Sequence, residues 1–562
     1  MDYKPLPVGI DNFQKIRERG CYYVDKTLLI KQLLDTTSEV TLFTRPRRFG
    51  KSLNLSMLQY FFEQSERDTE KLFQGLNIAS AGEKYTKHMG QYPVIMLNFK
   101  EAKQATFASA YKKLRKNIIT QFKYHKIILE KYPFEEEEVE QYKKIMGGID
   151  DQDLFMDSIA FLCECLEKAC GQKVILLIDE YDVPLENAYF EGFYEEMIGF
   201  VRGLLSVALK TNNSLYMAVM TGCLRVSKES IFTGLNNLEI ISIENEEYGE
   251  YFGFTTNEVE ELLVHYEKAH HRESIRDWYN GYLFGDTQVY NPWSLINHMK
   301  RIVVKDTAIP KPYWSNTSSN SIVRDLIQRI DASGKLELET LMAGGTIEKA
   351  IQEDITYADI HVDMDHLWNF LYFTGYLKKV SERLEVDTIY AKLQIPNLEV
   401  GTIYKRQIST WINVSFTHTN LEPLYQATIA GNVEAMEEAL NRVLMNTISY
   451  YDGMGKGNGE SFYHGVILGL YNNIQEYMVA SNRESGNGRP DLIVKSSSYQ
   501  GKAFIFEFKI TKVPTKLEET AQKALEQIEE QNYKAGLLAE GYTDITSYGI
   551  GFCQKCCAVV KG

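Results

Sequence analysis

The chain has 562 residues, of which 44% are hydrophobic and 24% charged. This composition is typical of folded globular domains and excludes a disordered chain, and the length predicts roughly three or four domains. The 61 Lys and Arg residues against 76 Asp and Glu residues give a formal net charge of −15. No global field therefore attracts nucleic acid, and any polyanionic partner must be met by local basic patches.

The sequence predicts a cytoplasmic protein without a membrane partner. Its N-terminus, MDYKPLPVGIDNF, has no apolar segment of signal-peptide length, and the longest apolar runs, such as VILLI at 174–178, are too short to span a bilayer. Eight cysteines in so long a chain fit a reducing compartment. The cysteines at 163–170 and 553–557 lack the paired clusters of a zinc site, and we interpret them as buried or incidental thiols.

The first half of the chain alternates short apolar runs with long amphipathic segments. Segments such as 153–169 and 193–209 have the 3.6-residue periodicity of helices. The apolar runs are predicted strands: EVTLFT (39–44), YPVIMLNF (92–99), KVILLIDE (173–180), SLYMAVMTG (214–222) and LEIISI (238–243). This alternation predicts an α/β fold, in which a parallel sheet carries helices on both faces.

The first predicted strand leads into a loop that is typical of phosphate binding. The loop, RPRRFGKS at 45–52, is followed by an amphipathic helix, so that loop amides and the helix N-terminus face the phosphates. Lys51 would reach the terminal phosphates and Ser52 would bind Mg²⁺. The predicted nucleotide-binding residues of this loop are Arg48, Phe49, Gly50, Lys51, Ser52 and Leu53. Arg45 occupies the place of the first glycine in the general pattern, which makes the string alone ambiguous.

Later strands supply the other parts of a nucleotide site in the expected chain order. Asp179 ends an apolar strand and could hold Mg²⁺, while Glu180 could position the attacking water. Thr221 ends a later strand, where a polar group could sense the γ-phosphate. Arg225 follows it, either as a charge stabiliser or as a partner in a surface ion pair. The side chains of Arg45, Arg47 and Arg48 could form a phosphate clamp or contact a partner, and the sequence leaves this choice open.

The middle of the chain is helical, aromatic and less distinctive. Residues 251–310 contain helical patterns, and Asn291 followed by Pro292 predicts a helix start. Residues 311–415 read as a linker followed by helices and a strand pair, which suggests a winged-helix-like module that could read DNA. His270 and His271 lie on a polar helix without a ligand partner in register, and we assign them no role.

The C-terminal region places charges inside apolar strands. In RPDLIV and KAFIFEFKI, Glu507 and Lys509 are two residues apart and so share one face of a strand, on which Asp491 of the neighbouring strand can converge. Two carboxylates and the carbonyl of Phe508 would form an oxygen nest for Mg²⁺, and Lys509 could activate a water. The alternative is a solvated strand with a weak Glu–Lys pair. The apolar neighbours of Glu507 favour the metal site.

Two flanking helices fit the same site. The segment GESFYHGVILGLY places Glu460, Tyr463 and His464 in the first turns of a helix. The later segment LEETAQKALEQIEEQNY is amphipathic, and its Gln527 and Tyr533 could face the site or a substrate backbone.

Many ordered motifs resemble one bacterial family over nearly the whole chain: YYVDKTLLI, LFTRPRRFGKSLNLSML, LIDEYDVPL, TGCLRVSKESIFTGLNNLE, YFGFTTNEVEELL, WYNGYLFG, VYNPWSL, and the C-terminal GRPDLIV and FEFK. The family that these motifs resemble is that of the AAA-ATPase-like proteins with a C-terminal domain of the PD-(D/E)xK nuclease superfamily. RPRRFGKS is that family's own form of the phosphate-binding loop. The resemblance implies an additional-strand P-loop ATPase with a helical lid, followed by a restriction-endonuclease-like fold. Together with the patterns above, the predicted domains are the ATPase core at 1–250, the helical lid at 251–310, the linker and winged-helix-like module at 311–415 and the nuclease-like α/β domain at 416–562.

Site residues also follow from the resemblance. Lys51, Ser52, Asp179 and Glu180 would serve ATP, and Asp491, Glu507 and Lys509 would serve the nuclease, with Glu460 as an extra metal ligand. The expected function is ATP-dependent or ATP-gated cleavage of DNA with Mg²⁺ or Mn²⁺, in defence or mobile-element biology. A homo-oligomer is compatible with this function. The alternative is a signalling NTPase whose C-terminal domain binds nucleic acid or protein without cutting.

Overall fold

The computed structural model describes most of the chain: residues 3–65, 68–210, 212–225, 237–314, 332–353, 364–406, 421–447, 460–471, 474, 476–481, 488–498 and 500–562. Contacts divide it into two compact units. The first comprises Met1–Trp314, Lys349–Ala391 and Pro396–Glu399, and the second Ser315–Glu348, Lys392–Ile395 and Val400–Gly562.

The first unit is built on a five-stranded parallel sheet. Its strands are β1 (Val40–Thr44), β2 (Val94–Asn98), β3 (Val174–Asp179), β4 (Leu215–Gly222) and β5 (Leu238–Ile241), in the order β2–β3–β4–β1–β5. β1 and β3 are buried along their whole length, as continuous apolar runs in a parallel sheet require. β4 lies between β1 and β3, which is the additional strand that the resemblance implies.

Helices connect these strands, and several begin at capping residues in the sequence. Asp151, for example, accepts the amide N–H of Leu154, and Gly171 in the left-handed region ends the same helix. The helices that precede β5 are Phe13–Glu18, Leu28–Thr36, Lys51–Phe62, Glu83–Thr86, Phe107–Tyr124, Ile128–Lys131, Glu136–Gly147, Gln152–Cys170, Val183–Glu191 and Tyr194–Leu209. The predicted α/β alternation is confirmed.

A smaller helical part with its own core follows β5. It contains the helices Thr256–His265, Arg272–Tyr279 and Pro292–Val304, together with a three-stranded antiparallel sheet of β6 (Phe254–Thr255), β7 (Tyr282–Phe284) and β8 (Thr287–Tyr290). The predicted helix start at Asn291 is confirmed, since its side chain accepts the N–H of Ser294 and Pro292 occupies the first turn. The three short strands were not predicted.

Within residues 332–399, the described elements are the helices Ala332–Met342 and Met364–Phe373 and the strands β9 (Ile347–Ala350), β10 (Lys378–Glu385) and β11 (Thr388–Gln394). Residues 349–391 belong to the first compact unit, so the predicted boundaries at 311 and 415 do not coincide with the division by contacts. The winged-helix-like module stays a prediction, because 315–331, 354–363 and 407–420 lie outside the described residues.

The second unit carries a mixed five-stranded sheet. Its strands are β12 (Tyr477–Ser481), β13 (Leu492–Ser496), β14 (Lys502–Ile510), β15 (Asp544–Cys553) and β16 (Cys556–Lys561), in chain order. Neighbours are antiparallel except for the parallel pair β14–β15. The helices of residues 421–562 are Glu422–Ala430, Val433–Thr447, Glu460–Tyr471, Leu517–Glu530 and Lys534–Glu540. The predicted α/β class of this region is confirmed.

Two glycines let the helix Leu517–Glu530 lie close against β15. A Cβ atom at Gly549 would overlap the carbonyl oxygen of Ala521, and one at Gly551 would come within 2.5 Å of the carbonyl oxygen of Leu517. This helix is part of the connection between the parallel strands β14 and β15. Its close packing fixes which of its side chains reach the end of β14.

Among the described helices, none combines the length and the apolar character needed to cross a membrane.

Candidate functional site

The predicted phosphate-binding loop joins the end of β1 to the helix Lys51–Phe62. Gly50 precedes this helix with φ +86°, and Arg48 has φ +71°, a conformation that is uncommon for residues with a side chain. Such strained positions concentrate at functional sites. The first amides of a helix have no partner within it, and this is why helix N-termini bind anions.

The amine of Lys51 lies inside this loop. It donates hydrogen bonds to the carbonyl oxygens of Arg45 (2.7 Å) and Pro46 (2.9 Å), and the residue is only 6% exposed. The loop carbonyls therefore satisfy a cation that would otherwise be costly to bury. Phosphate oxygens could replace these carbonyls as partners, since an ammonium group makes stronger hydrogen bonds to anions.

Asp179 is the centre of the predicted nucleotide site. Its buried carboxylate accepts hydrogen bonds from the hydroxyls of Ser52 and Thr221, each at 2.6 Å, and from the amide of Asn98 at 2.9 Å. Asn98 ends β2 and Thr221 is the last residue but one of β4, and these strands are the two neighbours of β3. A hydroxyl beside a carboxylate is a donor set that suits Mg²⁺. Sequence reasoning missed Asn98, although it ends its apolar strand as Asp179 does.

Glu180 follows Asp179 in the left-handed region, with φ +54°. Burial raises the pKa of its carboxyl, and the neighbouring charge of Asp179 raises it further. The geometry thus places a second carboxyl, harder to ionise than usual, directly after the first. A carboxyl group in such a position can accept a proton from an attacking water.

Asp182 is a further buried carboxyl that sequence reasoning missed. Its Oδ2 accepts the backbone N–H groups of Cys223 (2.7 Å) and Leu224 (3.1 Å), which anchors the segment that follows β4. Burial raises the pKa of this carboxyl. The sequence pattern around Asp182 does not indicate this role, because its partners Cys223 and Leu224 lie 41 and 42 positions further along the chain.

Arg45 has its side chain inside the fold. Its guanidinium donates to the carbonyl oxygens of Thr44 (3.0 Å) and Ile241 (2.8 Å) and lies 5.3 Å from the ring centre of Phe252 and 5.1 Å from that of Phe284. Burial lowers the pKa of Arg45 to about 9. The residue therefore ties the loop to the end of β5 and to the aromatic core, and its head group does not line the loop as a phosphate clamp would.

Phe49 is fully buried against Tyr282 and Phe284, so only its backbone can serve a nucleotide, and Leu53 is half-buried.

The remaining arginines of the predicted site each contact a side chain of the first unit. The arginine contacts are the ion pair of Arg47 with Glu186, the guanidinium of Arg48 at 4.2 Å from the ring centre of Trp293, and Arg225 at 3.6 Å from Glu353. The last contact matches the surface ion pair that the sequence left open for Arg225.

The second site forms where β13 and β14 pair. Leu492 lies opposite Phe506, so the antiparallel register brings Asp491 next to Glu507. The backbone N–H of Asp491 donates to Oε2 of Glu507 at 3.3 Å, and Oδ2 of Asp491 accepts the N–H of Phe508 at 2.9 Å. Glu507 is 3% exposed. The structure therefore brings together the two carboxylates that the sequence paired.

Gln527 joins Lys509 to Glu507. Its side-chain nitrogen donates to Oε1 of Glu507, and its side-chain oxygen accepts from Nζ of Lys509 at 2.6 Å. Gln527 comes from the helix Leu517–Glu530, at the edge of the stripe that packs on the sheet. The sequence placed Gln527 near the site, and the structure adds that it bridges the two charged side chains of β14.

The electrostatics of this site suit a cation. Burial raises the pKa of Asp491, while the N–H of Phe508 and the charge of Lys509 act against that rise. Among the described residues, hydrogen bonds to the Asp491 carboxylate use only Oδ2, so Oδ1 can serve as a ligand. Two adjacent carboxylates are the hard oxygen donors that Mg²⁺ prefers, and the residues present therefore fit the ion.

The helix Glu460–Tyr471 contributes His464 to the edge of the site. Nε2 of His464 donates to the backbone oxygen of Asp491 at 2.8 Å, and burial lowers the pKa of the imidazole. Tyr463 instead donates to the backbone oxygen of Gln554 and stacks on Phe552. The side chain of Glu460 lies outside the described residues, so its place as a metal ligand stays a prediction.

The folds and the two sites together define a class of protein: an additional-strand nucleotide-binding domain joined in one chain to a nuclease-type α/β domain. Comparison with known families agrees. Residues 7–232 match the family model described as a predicted AAA-ATPase, and residues 458–562 match the PD-(D/E)XK nuclease superfamily. The chain therefore carries an AAA-ATPase-like domain and a PD-(D/E)XK superfamily domain, which confirms the resemblance seen in the sequence. A curated relative, an uncharacterized protein in the vnfD 5′ region of Azotobacter chroococcum mcd 1, is 26% identical over 100% of this chain and 98% of its own length.

Proposed function

We propose that this protein binds and hydrolyses ATP and uses its second unit as a Mg²⁺-dependent nuclease that cleaves DNA. One observation carries the proposal: Asp491, Glu507 and Lys509 meet where β13 begins and β14 ends. The N–H of Asp491 donates to Glu507, and Gln527 bridges Glu507 and Lys509. Buried charges at such a strand pair need compensation, and a cation with a phosphodiester supplies it. The two family matches support the same assignment.

In the nuclease, Asp491 and Glu507 would hold Mg²⁺ or Mn²⁺ together with the carbonyl of Phe508, and Glu460 would be a further ligand. When bound, the metal supplies Lewis-acid polarisation of the phosphodiester and makes a coordinated water more acidic. Lys509 would orient a water for in-line attack, and its hydrogen bond to Gln527 fixes the direction of its amine. Gln527 would also orient the carboxylate of Glu507, as outer partners of metal ligands commonly do.

In the ATPase, the loop of Arg48, Phe49, Gly50, Lys51, Ser52 and Leu53 would bind the phosphates. Ser52 and Asp179 would hold Mg²⁺, and Glu180 would position the attacking water. Thr221 would report the γ-phosphate through Asp179, to which it is hydrogen-bonded. Arg225 would stabilise charge only after release from Glu353, which lies 3.6 Å away.

We further propose that ATP gates cleavage and that the protein acts in the cytoplasm, as its eight unpaired cysteines suit. We also propose a role in defence or mobile-element biology and the formation of a homo-oligomer. Gating requires that ATP change the equilibrium between states that differ in nuclease activity.

Cleavage assays on purified protein test the proposal. Supercoiled plasmid, duplex DNA and RNA oligonucleotides would be incubated with Mg²⁺ or Mn²⁺, with and without ATP. Lys509→Met should abolish cleavage and leave ATP hydrolysis intact, whereas Lys51→Ala should abolish hydrolysis. Lys512→Met, at an exposed position three residues further on, is the matched control and should cleave normally.

Two results would contradict the proposal in different ways. Normal cleavage by Lys509→Met would remove this site from the chemistry. ATP hydrolysis without cleavage of any substrate would instead favour the signalling NTPase, whose C-terminal domain binds without cutting.

A further inference from the structure

Three side chains of metal-ligating type, His270, His271 and Asp306, meet in the helical part of the first unit. None of them belongs to either of the two sites described above. His270 and His271 end the short 3-10 segment Ala269–His271, which precedes the helix Arg272–Tyr279. Asp306 follows the helix Pro292–Val304. No partner for the histidines could be recognised in the sequence, because Asp306 lies 36 positions after His270 and 35 after His271.

The spacing of these side chains is close to that of a metal site. Nε2 of His270 lies 3.0 Å from Oδ2 of Asp306, and Nε2 of His271 lies 3.2 Å from Oδ1. The three ligating atoms are all within 4.8 Å of one another. Tetrahedral zinc with bonds of about 2.0–2.1 Å requires ligand atoms about 3.3 Å apart. The two distances to Asp306 are therefore within a few tenths of an ångström of those that zinc requires.

An ordinary ion pair does not account for this convergence. Nζ of Lys268 lies 2.8 Å from Oδ1 of Asp306 and already neutralises the carboxylate. Two imidazole nitrogens still point at the same group, with ring centres only 4.4 Å apart. Two imidazoles gain little from sharing one exposed carboxylate that has a partner, whereas a cation would use both nitrogens.

A third imidazole lies behind the cluster. His298 is fully buried, and its ring centre is 6.4 Å from that of His271 with perpendicular planes. Neither of its ring nitrogens has a hydrogen-bond partner among the described residues. Buried polar groups are normally satisfied, and an unsatisfied one calls for an explanation such as an ion or a water. A water on a cation held by His271 is a partner of that kind.

We propose that His270, His271 and Asp306 form a binding site for a divalent transition-metal cation of the zinc class, with water in the fourth position. Two imidazoles and one carboxylate suit Zn²⁺, Co²⁺ or Ni²⁺, whereas Mg²⁺ prefers oxygen ligands only. The cation would join the segment before the helix Arg272–Tyr279 to the end of the helix Pro292–Val304. The site is separate from the ATP and nuclease sites, so its test does not depend on either activity.

The test is a titration of full-length, untagged, metal-free protein with Co²⁺, because a polyhistidine tag would bind the ion itself. We expect the visible absorption band of Co²⁺ in a tetrahedral nitrogen and oxygen site, saturating at one ion per site and displaced by Zn²⁺. His270→Ala, His271→Ala and Asp306→Asn should each weaken binding at least about 10-fold, the scale of effects seen even for outer partners of metal ligands.

Two further variants sharpen the test. His265→Gln changes an exposed histidine of the same helical part and should bind Co²⁺ normally. Lys268→Met removes the cation that competes for Asp306 and should strengthen binding. His270→Ala and Asp306→Asn should melt at the parent temperature without metal, since these side chains are 56% and 53% exposed. The side chains of His271 and Lys268 are only 17% exposed, so thermal unfolding of their variants without metal is the control for folding. A parent without the absorption band, ligand variants that bind as the parent does, or weaker binding by Lys268→Met would overturn the proposal.

Discussion

Replacing Gln527 with methionine tests the geometry of the proposed nuclease site most directly. Methionine keeps the length of the side chain but can neither donate to Glu507 nor accept from Lys509. Both hydrogen bonds of the bridge are then lost at once. The fold should survive, since Gln527 lies at the edge of the helix stripe and the packed residues of that helix are unchanged.

The expected loss follows from the charges that the bridge contacts. A hydrogen bond to a charged group contributes about 1.5–3 kcal/mol. If the bond to Lys509 is needed in the transition state, a loss of this size lowers kcat about 10- to 150-fold, at roughly 1.4 kcal/mol for each factor of ten. The bond to Glu507 orients a metal ligand, so the Mg²⁺ concentration for half-maximal cleavage should rise as well.

The assay is the initial rate of plasmid cleavage over a range of Mg²⁺ concentrations. Gln522→Met is the matched control, because Gln522 is an exposed glutamine on the same helix, and it should leave both parameters unchanged. The reasoning is refuted if Gln527→Met cleaves at the parent rate with the parent Mg²⁺ dependence while its thermal unfolding is also unchanged.

Three further predictions follow. Thr221→Val removes a 2.6 Å hydrogen bond to Asp179 and should slow ATP hydrolysis at least about 10-fold in a phosphate-release assay, with nucleotide binding retained; an unchanged rate would remove Thr221 from the site. Burial raises the pKa of Glu399 from 4.5 to about 7, so the proton on this carboxyl adds to the free energy of unfolding below pH 4.5. That contribution, about 3 kcal/mol in all, is lost as the pH rises through 7. Urea unfolding followed by tryptophan fluorescence should show this fall, and Glu399→Gln should abolish it. Gly549→Ala should lower both the unfolding temperature and cleavage, whereas Gly199→Ala, with open space around the new methyl group, should change neither.

The sequence could predict the pairing at the nuclease site because strands repeat every two residues. Glu507 and Lys509 share a face for that reason, and the turn-rich segment between the two strands implied the antiparallel partner that carries Asp491. The phosphate loop was predictable on similar grounds, since a strand, a glycine and the start of a helix follow one another within a few residues.

Residues whose roles depend on distant partners could not be found in this way. Asn98 and Asp182 meet their partners across the parallel sheet, where strand order is set by packing and not by sequence distance. The side chain of Arg45 is the converse case, in which a residue near the site has its partners elsewhere. Its position within the loop suggested phosphate binding, but two phenylalanines and the end of β5 enclose its guanidinium.

The bridge of Gln527 shows which physical step lies between a pattern and a site. The amphipathic pattern of the helix Leu517–Glu530 indicates which face packs on the sheet, but it does not fix the distance between helix and sheet or the position of the helix along β14. Gly549 and Gly551 set that distance, because any side chain there would overlap the helix backbone. The amide of Gln527 reaches both Glu507 and Lys509 only at this separation, so two glycines on β15 determine the geometry of a site whose charges lie on another strand.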